Sequence, residues 1–135
     1  MKIPRFLFIL CLLLIRSITS AIDSPKSKGA SIDFNSQIRP ILTENCFKCH
    51  GPDDAARKAK LRFDIRDEAL KPAKDGKTAI VPGSAEKSEL IARVTTKDED
   101  DRMPPIKSGK NVSQIQIDLL RRWILQGAPY ATHWS

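Results

Sequence analysis

The apolar residues of this chain change rhythm along its length, and each rhythm predicts a different element. From Phe6 to Ile15 they run without a break. Further on, Phe34, Ile38, Ile41, Leu42 and Phe47 fall close to one helical face, so residues 33–46 (DFNSQIRPILTENC) predict a helix. Asp33, Asn35 or Ser36 can cap its start. Pro40 is compatible only if the helix starts late or bends there. The rhythm then switches to period two. Leu61, Phe63 and Ile65 alternate with Lys60, Arg62, Asp64 and Arg66, which predicts an extended segment, followed by a short turn or helix over 67–70. Pro72, Gly76, Pro82 and Gly83 mark a loop. In SAEKSELIARV (84–94), Leu90, Ile91 and Val94 make an apolar stripe, with Ser84 as the expected cap and Glu86 near the positive end of the helix dipole. Residues 95–111 read as a long charged loop broken by Pro104 and Pro105. The last helix has the fullest set of signals. Ser113 and Gln116 form a capping box, Val112 can staple to Ile117, and Ile117, Leu120 and Ile124 share a face beside Trp123. Gly127 and Pro129 end it. The pattern is that of a small all-α domain with long loops and its longest helices at the two ends.

The unbroken run near the start belongs to a different kind of segment. Lys2 and Arg5 precede it, and Thr19 and Ala21 stand at −3 and −1 of a cleavage site. Residues 1–21 are therefore expected to be a secretory signal peptide. The run is too short to span a bilayer comfortably. The alternative, an uncleaved N-terminal anchor, would keep the domain beside a membrane. Cys11 follows Leu10, which is not small, and it lies too early for a lipidation site. Residues 22–31 (IDSPKSKGAS) read as a flexible tether, and residues 32–135 as the folded domain. The leader takes three of the 23 basic residues and none of the 16 acids, lowering the net charge from +7 to +4. The remaining charges are interspersed, without a basic run that would suit nucleic acid.

Removing the leader also takes one of the three cysteines, and the two that remain stand together in NCFKCHG (45–51). Cys46-Phe47-Lys48-Cys49-His50 is C-x-x-C-H, the pattern of c-type haem attachment. Two intervening residues let a tight turn bring both thiols to neighbouring vinyl groups, and His50 then aims its imidazole at the iron. Three other readings compete. A thioredoxin-like redox pair lacks a surrounding βαβ pattern. A zinc site would have to draw on Cys46, Cys49, His50 and His133 for its tetrahedral set, and two of those are adjacent. A plain disulfide is the third, since an unused C-x-x-C in an oxidising compartment tends to close.

A six-coordinate haem needs a second axial ligand. Without Met1, the remaining methionine is Met103, in DDRMPPIKSG, where Pro104 and Pro105 stiffen the chain just after it. A thioether held near the iron favours Fe(II); a gap-filling core role is the competing reading. His133 is the competing ligand, poorly placed so close to the C-terminus. Arg62 and Arg66 are candidate donors to a haem propionate. Trp123 reads as core rather than as a porphyrin contact. The second nitrogen of His50 is expected to donate to a carbonyl, with Gly51 and Pro52 nearby. The acidic run from Asp98 to Asp101 does not have the oxygen spacing of an EF-hand loop and reads as a solvated turn. No nucleophile triad, carboxylate dyad or phosphate loop is present.

Taken together, FNSQIRPILTENCFKCHGPD, LRFDIRDEAL, AIVPGSAEKSELIARV, RMPP and LLRRWILQGAPY resemble the planctomycete-type cytochrome c domain, a branch of the class I cytochrome c fold. The resemblance runs from about Phe34 to Trp134. It implies crossed N- and C-terminal helices against one covalent haem c, with Cys46 and Cys49 attached, His50 as proximal and Met103 as distal ligand. Domains of this kind commonly open longer exported proteins, so a free-standing carrier and a shortened member are both open. The leading expectation is an exported, periplasmic or equivalently extracytoplasmic monohaem cytochrome. It would pass single electrons between protein redox partners, be assembled by the cytochrome c maturation machinery, and have no enzymatic activity of its own. The alternative is a haem-binding sensor or accessory module of a larger oxidoreductase system with a labile distal methionine. A haemless disulfide or zinc module is the third class.

Overall fold

The computed structural model describes residues 30–131. The expected leader, most of the tether and His133 lie outside these residues. In chain order a π-helical turn, Phe34–Ile38, leads directly into α1 (Arg39–Asn45) and α2 (Phe47–His50); then come α3 (Arg66–Ala69), α4 (Glu89–Thr95), a 3-10 turn at Ile106–Ser108, and α5 (Gln114–Leu125). Among the described residues the only strand-like pairing is an isolated bridge between Pro72 and Thr78. The domain is all-α, with long loops between short helices.

The opening helix shows how Pro40 is accommodated. Asp33 caps it, its carboxylate accepting the Ser36 amide at 2.7 Å. Hydrogen bonds from the Ser36 hydroxyl and amide hold that carboxyl below the usual aspartate range. The first five residues are wound wide, and the Arg39 amide reaches back to the Phe34 carbonyl. Regular α-helix begins only at Arg39, so Pro40 falls in a first turn, where a missing N–H leaves no gap. Phe34, Ile38, Ile41 and Leu42 all point into the core.

The π-helical part of that face meets α5, which also packs on α4. Trp123 is fully buried and its ring lies 5.8 Å from that of Phe34; Tyr130 sits 4.5 Å from Phe34 and 5.3 Å from Trp123. The Trp123 indole donates to the Pro129 carbonyl at 2.8 Å, folding the segment after α5 back onto the helix pair. The ends of α5 match the expectation. Ser113 and Gln116 exchange both capping-box bonds. Gly127, at φ +95°, allows the Gly127 and Ala128 amides to return to the carbonyls of Ile124 and Trp123, a Schellman ending.

Two local expectations are corrected. Phe63 is buried as the period-two pattern requires, but Ile65 is 40% exposed because the chain turns into α3 there. The second is the start of α4. It begins at Glu89, with Ser88 rather than Ser84 before it. The Ser88 hydroxyl is almost fully buried, accepts the Val81 amide at 2.9 Å and donates to the Ser84 carbonyl at 2.8 Å. It ties the preceding loop to the helix rather than capping the helix itself. Removing that hydroxyl leaves a buried amide unpaired. Ser88→Ala is therefore expected to lower unfolding free energy by about 1–3 kcal/mol in denaturant titrations, whereas Ser84→Ala should stay within about 0.5 kcal/mol of the parent.

Candidate functional site

The C-x-x-C-H segment is delivered by the end of α1. The Cys46 amide still bonds to Leu42, after which Cys46 leaves helical geometry at φ −123° and ψ −39°. One short turn, α2, follows, with the Cys49 and His50 amides returning to the Cys46 carbonyl at 3.1 and 2.8 Å. Residues three and four apart share a helical face, so Cys46, Cys49 and His50 are presented together. Both cysteines are free thiols, and burial pushes the Cys46 thiol up to about 12. A thiol kept protonated is a poor disulfide-exchange nucleophile, which argues against the thioredoxin-like reading. Gly51 ends the turn under steric constraint. A Cβ at that position would collide with the Phe47 carbonyl oxygen.

The loop after Gly51 folds back over the motif. Arg57 reaches the Gly51 and Pro52 carbonyls at 3.0 and 2.8 Å and pairs with Asp54. The Lys58 amide bonds to the Cys49 carbonyl at 2.7 Å, and the Phe63 amide to the His50 carbonyl at 2.8 Å. This fixes His50 twice. Its Nδ1 faces the Lys58 carbonyl at 3.2 Å. A carbonyl can only accept, so Nδ1 carries the proton and Nε2 keeps its lone pair. Burial lowers the pKa of the imidazole, outweighing the opposing effect of the carbonyl, and Phe63 stands edge-on to the ring at 5.8 Å. A neutral, oriented histidine with a bare Nε2 is what metal ligation requires. The sequence suggested that a carbonyl would do this, with Gly51 and Pro52 as the near candidates. The structure assigns the task to Lys58.

Met103 enters from the far end of the chain. Its amide donates to the Arg93 carbonyl on α4 at 2.9 Å, the Met103–Pro104 peptide is cis, and Pro104 is buried. Met103 is half-buried and lines the same cavity as Cys46, Cys49 and His50. The cavity measures about 910 Å³, and Leu61, Phe63, Ala79, Leu90 and Val94 supply apolar wall. That is the size and character of a cofactor site. Arg62 and Arg66 are not on its wall: Arg62 pairs with Asp64, and Arg66 donates to the Ala128 carbonyl at 3.3 Å. Trp123 is core. Leu90 and Val94 were visible in the sequence as a helical stripe, but nothing there distinguished a cofactor wall from a core face.

The family model for Planctomycete cytochrome C matches residues 46–107. Over this segment, a little under half of the chain, the sequence is similar to a planctomycete cytochrome c domain. The match opens on Cys46 and runs past Met103, so it takes in the thiols, His50, the returning loop and the methionine loop, while α1 and α5 lie outside it. No match is found among curated proteins, and none among solved structures. A cytochrome c domain implies a covalently bound haem, and the donor set fits one: two thiols on one turn, an imidazole with a free Nε2, a thioether and a largely apolar cavity.

Because Gly51 leaves no room for a side chain, Gly51→Ala must displace the turn that carries His50. Its expected cost is about 1–3 kcal/mol of stability, as for overpacking elsewhere, together with a lower yield of covalently haem-loaded protein, read by haem staining of the denatured chain.

Proposed function

We propose that this protein is an exported monohaem c-type cytochrome that carries single electrons between protein redox partners. The observation that carries this reading is the convergence of Cys46, Cys49, His50 and Met103 on one largely apolar cavity. A bound haem supplies an iron that accepts and releases one electron. Cys46 and Cys49 would hold it through thioether bonds, and His50 Nε2 and Met103 would supply the two iron ligands. With the iron so ligated there would be no coordination site open to a substrate, so we propose no enzymatic reaction for the domain. The leader pattern of residues 1–21 supports export to the periplasm or an equivalent space, where the cytochrome c maturation machinery would attach the haem.

The charge around the cavity supports a partner of stated chemistry. Lys48, Lys60, Lys71, Lys74, Lys77 and Lys107 line it and are exposed, against the acidic Glu68, Asp75 and Glu89. A rim of this sign steers an acidic protein surface toward the site, with an association rate that falls as salt rises. One observation favours the second reading, a sensor or accessory module: Met103 hangs on a loop whose residues 97–101 are all exposed.

The test is expression of the full chain with the maturation machinery. The parent should retain haem after denaturation and extraction, with a mass increase of one haem and a low-spin spectrum. A Cys46→Ala, Cys49→Ala double variant should release all of it. A parent chain that emerges without covalent haem would exclude the cytochrome reading. A high-spin haem that binds carbon monoxide freely would shift the assignment to the sensor.

A further inference from the structure

Methionine is a neutral and weak iron ligand, so the lifetime of its bond depends on how firmly its loop is held. The loop between α4 and α5 has little of its own to hold it. It carries Asp98, Glu99, Asp100 and Asp101 in succession and is exposed from Lys97 to Asp101. Beside Met103, Arg102 bonds to Asn111 within the loop and Pro104 is buried, while the hydrogen bonds that tie this stretch to α4 converge on one residue. The Arg93 carbonyl accepts the Met103 amide at 2.9 Å. The Arg93 guanidinium reaches the other side of Arg102, where Nη1 donates to the Asp101 carbonyl at 3.1 Å and to its carboxylate at 2.6 Å. Main chain and side chain of one residue therefore grip positions 101 and 103.

The grip is itself oriented. Arg93 Nε donates to Glu89 Oε1 at 2.8 Å, one turn back along α4, and both side chains are about 70% covered, being 30% and 27% exposed. The acidic partners on the two sides hold the guanidinium charged. Nε and Nη1 are used at once in different directions, a demand that the planar fork of arginine meets and the single ammonium of lysine does not. Behind Arg93, Leu90 and Ile91 anchor α4 in the core, and Arg93 also lies on the cavity wall. A mechanical path thus runs from the core through α4 and Arg93 to the methionine.

We propose that Arg93 is the positioning residue that keeps Met103 on the iron, and that loss of its guanidinium converts a closed carrier into a haem with an accessible coordination site. The inference rests on the His50/Met103 ligation proposed above. It gives the balance between carrier and sensor a definite origin, the clamp formed by Glu89, Arg93 and Asp101.

Haem-loaded parent, Arg93→Ala, Arg93→Lys and Asp101→Asn proteins would be compared by two readouts. One is the methionine-to-iron charge-transfer band of the ferric form. The other is the rate of carbon monoxide binding to the ferrous form. Covalent haem content and unfolding midpoint control for the fold. Arg93→Ala should weaken the band and speed carbon monoxide binding about tenfold, within the coupling range of one hydrogen-bonded network. Arg93→Lys should restore only part of the parent behaviour, and Asp101→Asn should reproduce part of the loss. An Arg93→Ala protein with the parent band and the parent rate overturns the proposal. If Arg93→Ala does not fold, Asp101→Asn decides, and an unchanged rate in that variant overturns it. A parent protein without the band contradicts the ligation reading itself, which is a different failure.

Discussion

The site depends on the contact between His50 Nδ1 and the Lys58 carbonyl at 3.2 Å. It sets which imidazole nitrogen is bare, and so leaves Nε2 of His50 available to a metal. Around it the loop is closed by bonds from Lys58 to Cys49 and from Phe63 to His50. Those bonds in turn require the tight turn at Gly51 and the brace of Arg57 on Gly51 and Pro52. The thiols, the histidine and the returning loop are one unit. Moving any part of it moves His50.

The two ends of the domain serve that unit. The turn that carries Phe34 and Ile38 packs on α5, and α1, continuous with it, runs straight into Cys46. Trp123 and Tyr130 close the helix pair from the C-terminal side. The family match leaves α1 and α5 outside, yet α1 carries the first thiol into place and α5 holds α4 and the π-helical turn that leads into α1. α4 then does for Met103 what α1 does for Cys46: it is anchored by Leu90 and Ile91 on one side and gives the ligand loop an attachment point on the other.

What could be read from the sequence was whatever local chemistry determines. The ends of α5 were legible because Ser113, Gln116 and Gly127 act on their own neighbours. Cys46, Cys49, His50 and Met103 stood out as candidates because few residue types can bind haem, and the structure brings all four to one cavity. The start of α4 was misplaced because the Ser88 hydroxyl answers to Val81 and Ser84 across a loop, not to its own helix. Lys58 could not be foreseen as the histidine's partner. The chain reaches it before Ala59 and Lys60, both at positive φ, reverse direction without a glycine to announce the turn. Arg93 was hidden for a similar reason: its partner Asp101 lies in a stretch that reads as a solvated acidic run.

One cavity holds both His50 and Met103, and the proposed function makes them the two iron ligands of a single covalent haem. Proton NMR of the haem-loaded, reduced protein tests it most directly. A methionine methyl bound at the iron sits inside the porphyrin ring current and resonates far upfield of the protein envelope. The account predicts one such three-proton signal, absent from Met103→Ala. A spectrum without it, or one in which it survives that substitution, would contradict the account.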